Sequence, residues 1–166
     1  PGRRSVTAPP HGSRSMRRAR GLEAALVDNS KLTLQASDPS ADPRKFVISV
    51  AGPAALVVAK LHKISDRLDN PDRLEPKDAH DIYRLLMAID TDELASAFRT
   101  LLATPVSEPV TREAVELLRT LFAAGPDATG SQMAGAAEKV VGDPVAVSES
   151  VSLLAQDLLE ALGSVS

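Results

Sequence analysis

From Val50 to Ile89 the chain reads V-A-G-P-A-A-L-V-V-A-K-L-H-K-I-S-D-R, breaks over a short polar stretch, and resumes as P-K-D-A-H-D-I-Y-R-L-L-M-A-I. No other stretch constrains the fold as tightly. Pro53 and Pro76 each stand where a helix begins, because the fixed φ of proline suits the first helical turn and its missing N–H is not needed there. Downstream of Pro53, Val57, Leu61, Ile64 and Leu68 recur at helical spacing and form a core stripe, with Lys60, Lys63 and Arg67 as a parallel stripe on one flank. Downstream of Pro76, Ile82, Leu85 and Ile89 form the apolar stripe; Asp78 falls on it one turn upstream and Asp81 on its shoulder. Two consecutive helices therefore carry three cations and two carboxylates toward one another. An acid on the core side of a helix needs a reason.

Upstream, three short segments have β character: 22–27, 31–36 and Phe46–Val50. The first pair reads as a hairpin turning at Asp28-Asn29-Ser30, although 22–26 reads equally as the end of a helix entered from the N-terminal arm. Leu32, Leu34 and Ala36 alternate with Thr33 and Gln35, the pattern of a half-buried strand. Beyond Ile89, helices are expected over 92–103, 111–123, 131–141 and 147–162, separated by Pro105, Pro109, Gly125-Pro126 and Gly142-Asp143-Pro144. Asp90-Thr91 before Glu93, and Thr111 before Glu113, read as N-terminal caps.

A chain of 166 residues can bury a sizeable core. Its only aromatic residues are Phe46, Tyr83, Phe98 and Phe122, so the core must be built from Ala, Leu and Val, which favours closely packed helices. The chain contains no cysteine. Disulfides and thiolate metal sites are excluded, and a reducing, cytoplasmic setting is the expectation. No apolar run approaches the roughly 18 residues of a membrane span. The formal net charge of −3 conceals an asymmetry: residues 1–20 hold six arginines and no acid, leaving 13 basic against 22 acidic side chains in the remainder. The arm's Pro, Gly and Ser content reads as a disordered segment or linker, with nucleic-acid or phosphate binding as the alternative.

Read from residue types alone, the cations and carboxylates have an ordinary explanation. First-turn acids gain about 0.3–1 kcal/mol from the helix dipole, and a basic stripe is commonly a solvated face. His62 and His80 adjoin the motif residues but fall on other faces, and His11 lies in the arm, so the histidines point to no metal site. Yet Pro53, Leu56 or Val57, Lys60, Lys63 and Arg67, followed by Lys77-Asp78-Ala79-His80-Asp81-Ile82-Tyr83-Arg84-Leu85, resemble the third and fourth motifs of nucleotidyltransferase-fold proteins related to abortive-infection and type IV toxin–antitoxin toxins. The resemblance spans roughly Arg17 to Leu102.

That resemblance implies metal-dependent transfer of a nucleoside monophosphate from a nucleoside triphosphate to a hydroxyl acceptor. Lys60 matches the lysine that contacts the triphosphate, and Asp78 or Asp81 the aspartate that supports it or acts near the acceptor, with Asp81 favoured. Lys63 and Arg67 match auxiliary nucleotide-binding positions. The same family places two acids as D-x-D on an early strand after a Gly-Ser or Gly-Ala loop, because paired Mg²⁺ ions need a carboxylate cluster. No such motif occurs here: Asp38 and Asp42 sit in a Pro-rich loop, and Asp66 and Asp69 at a helix end. Mg²⁺ and nucleoside triphosphate are thus expected only of a complete protein, and the missing motif, with Pro1 in place of an initiator Met, is the pattern of a C-terminal part or a degenerate homologue.

The expected fold is α+β: a basic arm over 1–20, a short β segment over 21–52 belonging to a nucleotidyltransferase-like domain, and a bundle of five or six helices over 53–166. Nucleotide is the expected ligand, and tRNA, a protein or a small molecule is open as the acceptor. From a different class comes the alternative of a non-enzymatic helical interaction module, such as a toxin–antitoxin-type regulator, whose basic arm binds a partner protein or nucleic acid.

Overall fold

The computed structural model describes residues 5–6, 16–17, 19–139 and 142–163. It is an α+β fold in which small antiparallel ribbons precede six α-helices. Strands β1 (Ser5–Val6) and β2 (Met16–Arg17) pair antiparallel with Ser5 opposite Arg17. The rest of the arm, and most of what was expected of it, lies outside the described residues.

Leu22–Leu26 is a turn of 3₁₀ helix, which corrects the expected strand. Gly21 enters it with φ at 90°, a left-handed conformation that glycine adopts without steric cost, and its N–H donates to Glu23. Ala24 is fully buried, and its carbonyl accepts from the N–H groups of Val27 and Asp28. A 24–25 Ala pair offers no β-branched side chain to hold an extended chain. The hairpin therefore forms one segment later, between β3 (Asn29–Gln35) and β4 (Lys45–Ala51). Its register sets Leu32 opposite Ile48, Leu34 opposite Phe46 and Ser30 opposite Val50 on one face; Lys31 faces Ser49 and Gln35 faces Lys45 on the other. The alternation expected of a half-buried strand is present, but its apolar face is open: Leu32 and Leu34 keep 49% and 45% of their surface.

Helix α1 (Pro53–Ser65) begins at Gly52, which has no side chain to cap it. Asp28, at the base of the hairpin just before β3, supplies the cap. Its carboxylate accepts the Ala55 N–H at 2.8 Å, and its carbonyl accepts the Gly52 N–H at 2.9 Å. The approach is so close that a Cβ at residue 52 would stand 1.9 Å from an Asp28 carboxylate oxygen. Val57, Leu61 and Ile64 of α1 are buried, as its stripe requires, and Leu68 packs against the core from the turn beyond.

Helix α2 (Pro76–Ala88) buries Ala79, Ile82, Leu86 and Asp78, with Leu85 and Ile89 partly covered. Asp90 caps α3 (Thr91–Ala103) by accepting from the N–H groups of Asp92 and Glu93, as its sequence predicts. Helix α4 (Glu108–Leu118) starts earlier than expected: Thr111 lies inside it, its hydroxyl donating back to the Ser107 carbonyl. A wider π turn over Arg119–Ala123 leads to α5 (Thr129–Ala136), and α6 (Pro144–Gly163) closes the bundle. Phe98 and Phe122 are fully buried among Leu61, Leu94, Leu101, Leu118 and Leu158. Alanine is the commonest residue at the remaining core positions, consistent with the shortage of aromatic residues. Among the described residues no helix is long and apolar enough to cross a membrane.

Candidate functional site

Helices α1 and α2 pack side by side and bring all five sequence-predicted residues into one charge cluster. Asp78 is its hub. Its side chain is 4% exposed and is faced by Lys63 at 2.7 Å, Lys60 at 3.1 Å and Arg67 at 3.6 Å. Asp81, one turn further along α2 and 25% exposed, takes only Lys60, at 2.6 Å. Arg67, in the turn after α1, also reaches Glu75 at 3.3 Å and donates to the Arg73 carbonyl at 3.0 Å, tying down the link between the helices. Three cations thus meet Asp78, Asp81 and Glu75. The acid on the apolar stripe has its partners.

Protonation follows from this arrangement. Burial works against the Lys60 charge, but hydrogen bonds to Asp81 and Asp78 outweigh it, and the ammonium titrates above the ordinary lysine value. Burial likewise opposes the Asp78 charge, yet hydrogen bonds from Lys63 and Lys60 prevail and hold the carboxyl below its ordinary value. Lys60 is a fixed cation near neutral pH, suited to electrostatic stabilisation and unsuited to taking a proton. The stability consequence has a definite sign. Asp78, lowered on folding, contributes above the unfolded carboxyl value of about 3.9 and loses that contribution as pH falls through its folded value. Lys60, raised on folding, contributes below about 10.4 and loses it as pH rises further. We expect the melting-temperature gap between wild type and Asp78→Asn to be constant from about pH 5 to 9 and to shrink below about pH 4; a gap that widens in acid would contradict it.

A cleft of about 350 Å³ adjoins the cluster. Leu22, Leu56 and Ala59 give it an apolar floor, while Arg20, Lys60, Lys63 and Arg67 stand at its polar side, with Asp66 as an acid in the lining. Glu113 holds Arg20 at 2.6 Å. His62 backs this cleft, nearly buried, with Nε2 2.8 Å from the Val110 carbonyl. His80 lies apart, 2.6 Å from Glu138 of the turn after α5 and beside the Tyr83 ring.

The two aspartates do not fit a magnesium ion. Both Asp78 oxygens face ammonium groups and Asp81 is taken up by Lys60, so a divalent cation would meet three positive charges. Among the described residues no group of three or more His, Asp or Glu side chains gathers as a metal site. Sequence reasoning missed Arg20, Glu75, Glu113 and the Asp28 cap. Only Asp28 carried a signal: a Gly-Pro helix start with no capping side chain of its own. Comparison of the chain with protein-family models, with curated proteins and with solved structures returns no match.

Proposed function

We propose that this chain carries the phosphate-binding half of a nucleotidyltransferase-like site, with the metal-holding acids supplied by polypeptide outside it. The observation that carries the reading is Lys60: an ammonium gripped by Asp81 and Asp78 at the edge of an open cleft. In such a transfer an acceptor hydroxyl attacks the α-phosphorus of a nucleoside triphosphate, the bond to pyrophosphate breaks, and negative charge builds on the phosphate oxygens. A prepositioned ammonium offsets that charge without reorganising. Asp81 orients Lys60 from the solvent-accessible side and is the carboxylate assigned near the acceptor. Asp78, buried beneath three cations, is a positioning residue, and Lys63 and Arg67 are auxiliary phosphate contacts.

The test uses ATP, GTP, CTP and UTP. The 166-residue chain is expected to bind them weakly and transfer nothing. The complete gene product is expected to transfer nucleotide, and Lys60→Ala to reduce that rate roughly a hundredfold or more, the loss typical of removing one electrostatic donor. Transfer by the isolated chain, or undiminished transfer by the Lys60→Ala protein, would overturn the assignment. The balanced charge of the cluster favours the second reading, a non-enzymatic interaction module, in which the same residues only clamp α1 to α2.

A further inference from the structure

We infer that Arg20 is a further phosphate contact of the cleft, and that Glu113 holds its guanidinium until an anionic ligand takes it over. Only two stretches of the described chain line the cleft: Ala19, Arg20 and Leu22 form one wall, and α1 with the turn after it forms the other. Lys60, Lys63 and Arg67 all belong to the second wall. A ligand held by them alone would be gripped from one side. Arg20 is the cation of the first wall. The inference rests on the proposed function in taking the ligand to be a chain of phosphates.

The backbone beside Arg20 is firmly placed. Gly21 turns left-handed at φ 90° and comes so near α1 that a Cβ there would stand 2.6 Å from the His62 ring. Its N–H donates to Glu23 at 2.8 Å. The Arg20 side chain, by contrast, is the loosest of the four cations in the lining. It is 59% exposed, against 41% for Lys63, 24% for Lys60 and 18% for Arg67. Lys60 is shared by two carboxylates, Lys63 faces buried Asp78, and Arg67 has two carboxylates and a carbonyl. Arg20 has Glu113 of α4, itself 41% exposed. Glu113 Oε2, the atom it approaches at 2.6 Å, accepts no aligned hydrogen bond among the described residues. An exposed pair of this kind contributes little and exchanges readily. A guanidinium presents its N–H donors in a planar fork that matches phosphate oxygens two at a time, so a phosphate offers Arg20 more than Glu113 does.

The test titrates the 166-residue chain with inorganic tripolyphosphate in magnesium-free buffer and follows binding by NMR shifts. Arg20→Ala is expected to weaken binding about tenfold, within the range for a hydrogen bond to a charged group, and Arg20→Lys to restore part of it. Glu113→Gln is expected to act the other way, tightening binding about two- to fivefold, because dissolving an exposed ion pair frees its cation. Unfolding cannot tighten binding, so that result stands whatever Arg20→Ala does to stability. If the pair merely ties residues 19–22 to α4, the two substitutions shift binding in the same direction or not at all, and the proposal fails. In the Arg20→Ala background Glu113→Gln should change nothing; equal tightening there would reveal a bulk charge effect and overturn the assignment. Lys60→Ala separates this inference from the reading beneath it. Binding lost in Lys60→Ala but kept in Arg20→Ala would remove Arg20 and leave the reading, whereas the reverse would keep Arg20 and remove the reading. A wild-type chain that binds no tripolyphosphate would overturn both.

Discussion

Asp78→Ala is expected to destabilise the protein by about 3 kcal/mol, a fall in melting temperature of roughly 6–12 °C for a chain of this size. Removing one partner from a buried ion pair commonly costs about 3–5 kcal/mol, because the remaining charge is left uncompensated. Here the lower end applies. Lys63 is 41% exposed and can swing into water, whereas Arg67, at 18%, and Lys60, at 24%, are more confined. Asp81→Ala should cost about 1 kcal/mol or less, as expected of a partly solvated pair that leaves Lys60 its contact with Asp78. Thermal or urea unfolding of the two variants separates the roles. Equal losses would show that Asp78 is not the hub.

Gly52→Ala is expected to cost on the order of 3 kcal/mol, although the substitution adds only one methyl group. A Cβ at that position would fall 1.9 Å from an Asp28 carboxylate oxygen, so Asp28 must leave the start of α1. Losing a helix cap costs about 0.5–2 kcal/mol, and forcing an atom into a packed crossing about 1–3 kcal/mol. Asp28→Ala, which removes the cap without the clash, should lie between wild type and Gly52→Ala. If Gly52→Ala proved no worse than Asp28→Ala, the close crossing would not be what Gly52 is there to allow.

Much of the helical half was legible because its signals are local. Pro53, Pro76 and Asp90 mark helix starts through their own backbone chemistry. The meeting of Lys60 with Asp78 and Asp81 could be read from the two stripes, since short connections leave consecutive helices little choice but to pack. The errors lie where a distant partner decides. Leu22–Leu26 has an apolar pattern compatible with a strand, but Ala24 buries against the bundle and Gly21 turns the chain left-handed beside His62. Thr111 resembles a cap, yet α4 begins at Glu108 because Pro109 can occupy a first helical turn as well as interrupt a helix. The Asp28 cap joins residues 27 positions apart, which no window-based reading resolves. Why Leu32 and Leu34 stay open cannot be read from strand alternation, which says only that one face is apolar.

The clasp between Asp28 and the start of α1 makes the hairpin a gauge as well as a support. Lys60 stands seven residues into a helix whose first turn is pinned to the base of β3, a rise of about 10 Å along a stiff rod. The base of the ribbon is therefore tied to the start of the helix that carries the Lys60 ammonium. Reactive groups lose much of their effect when displaced by about 1 Å, so the crossing at Gly52 also sets where the Lys60 ammonium stands. The alignment is inherited from one glycine and one aspartate, neither of which touches the cluster it positions.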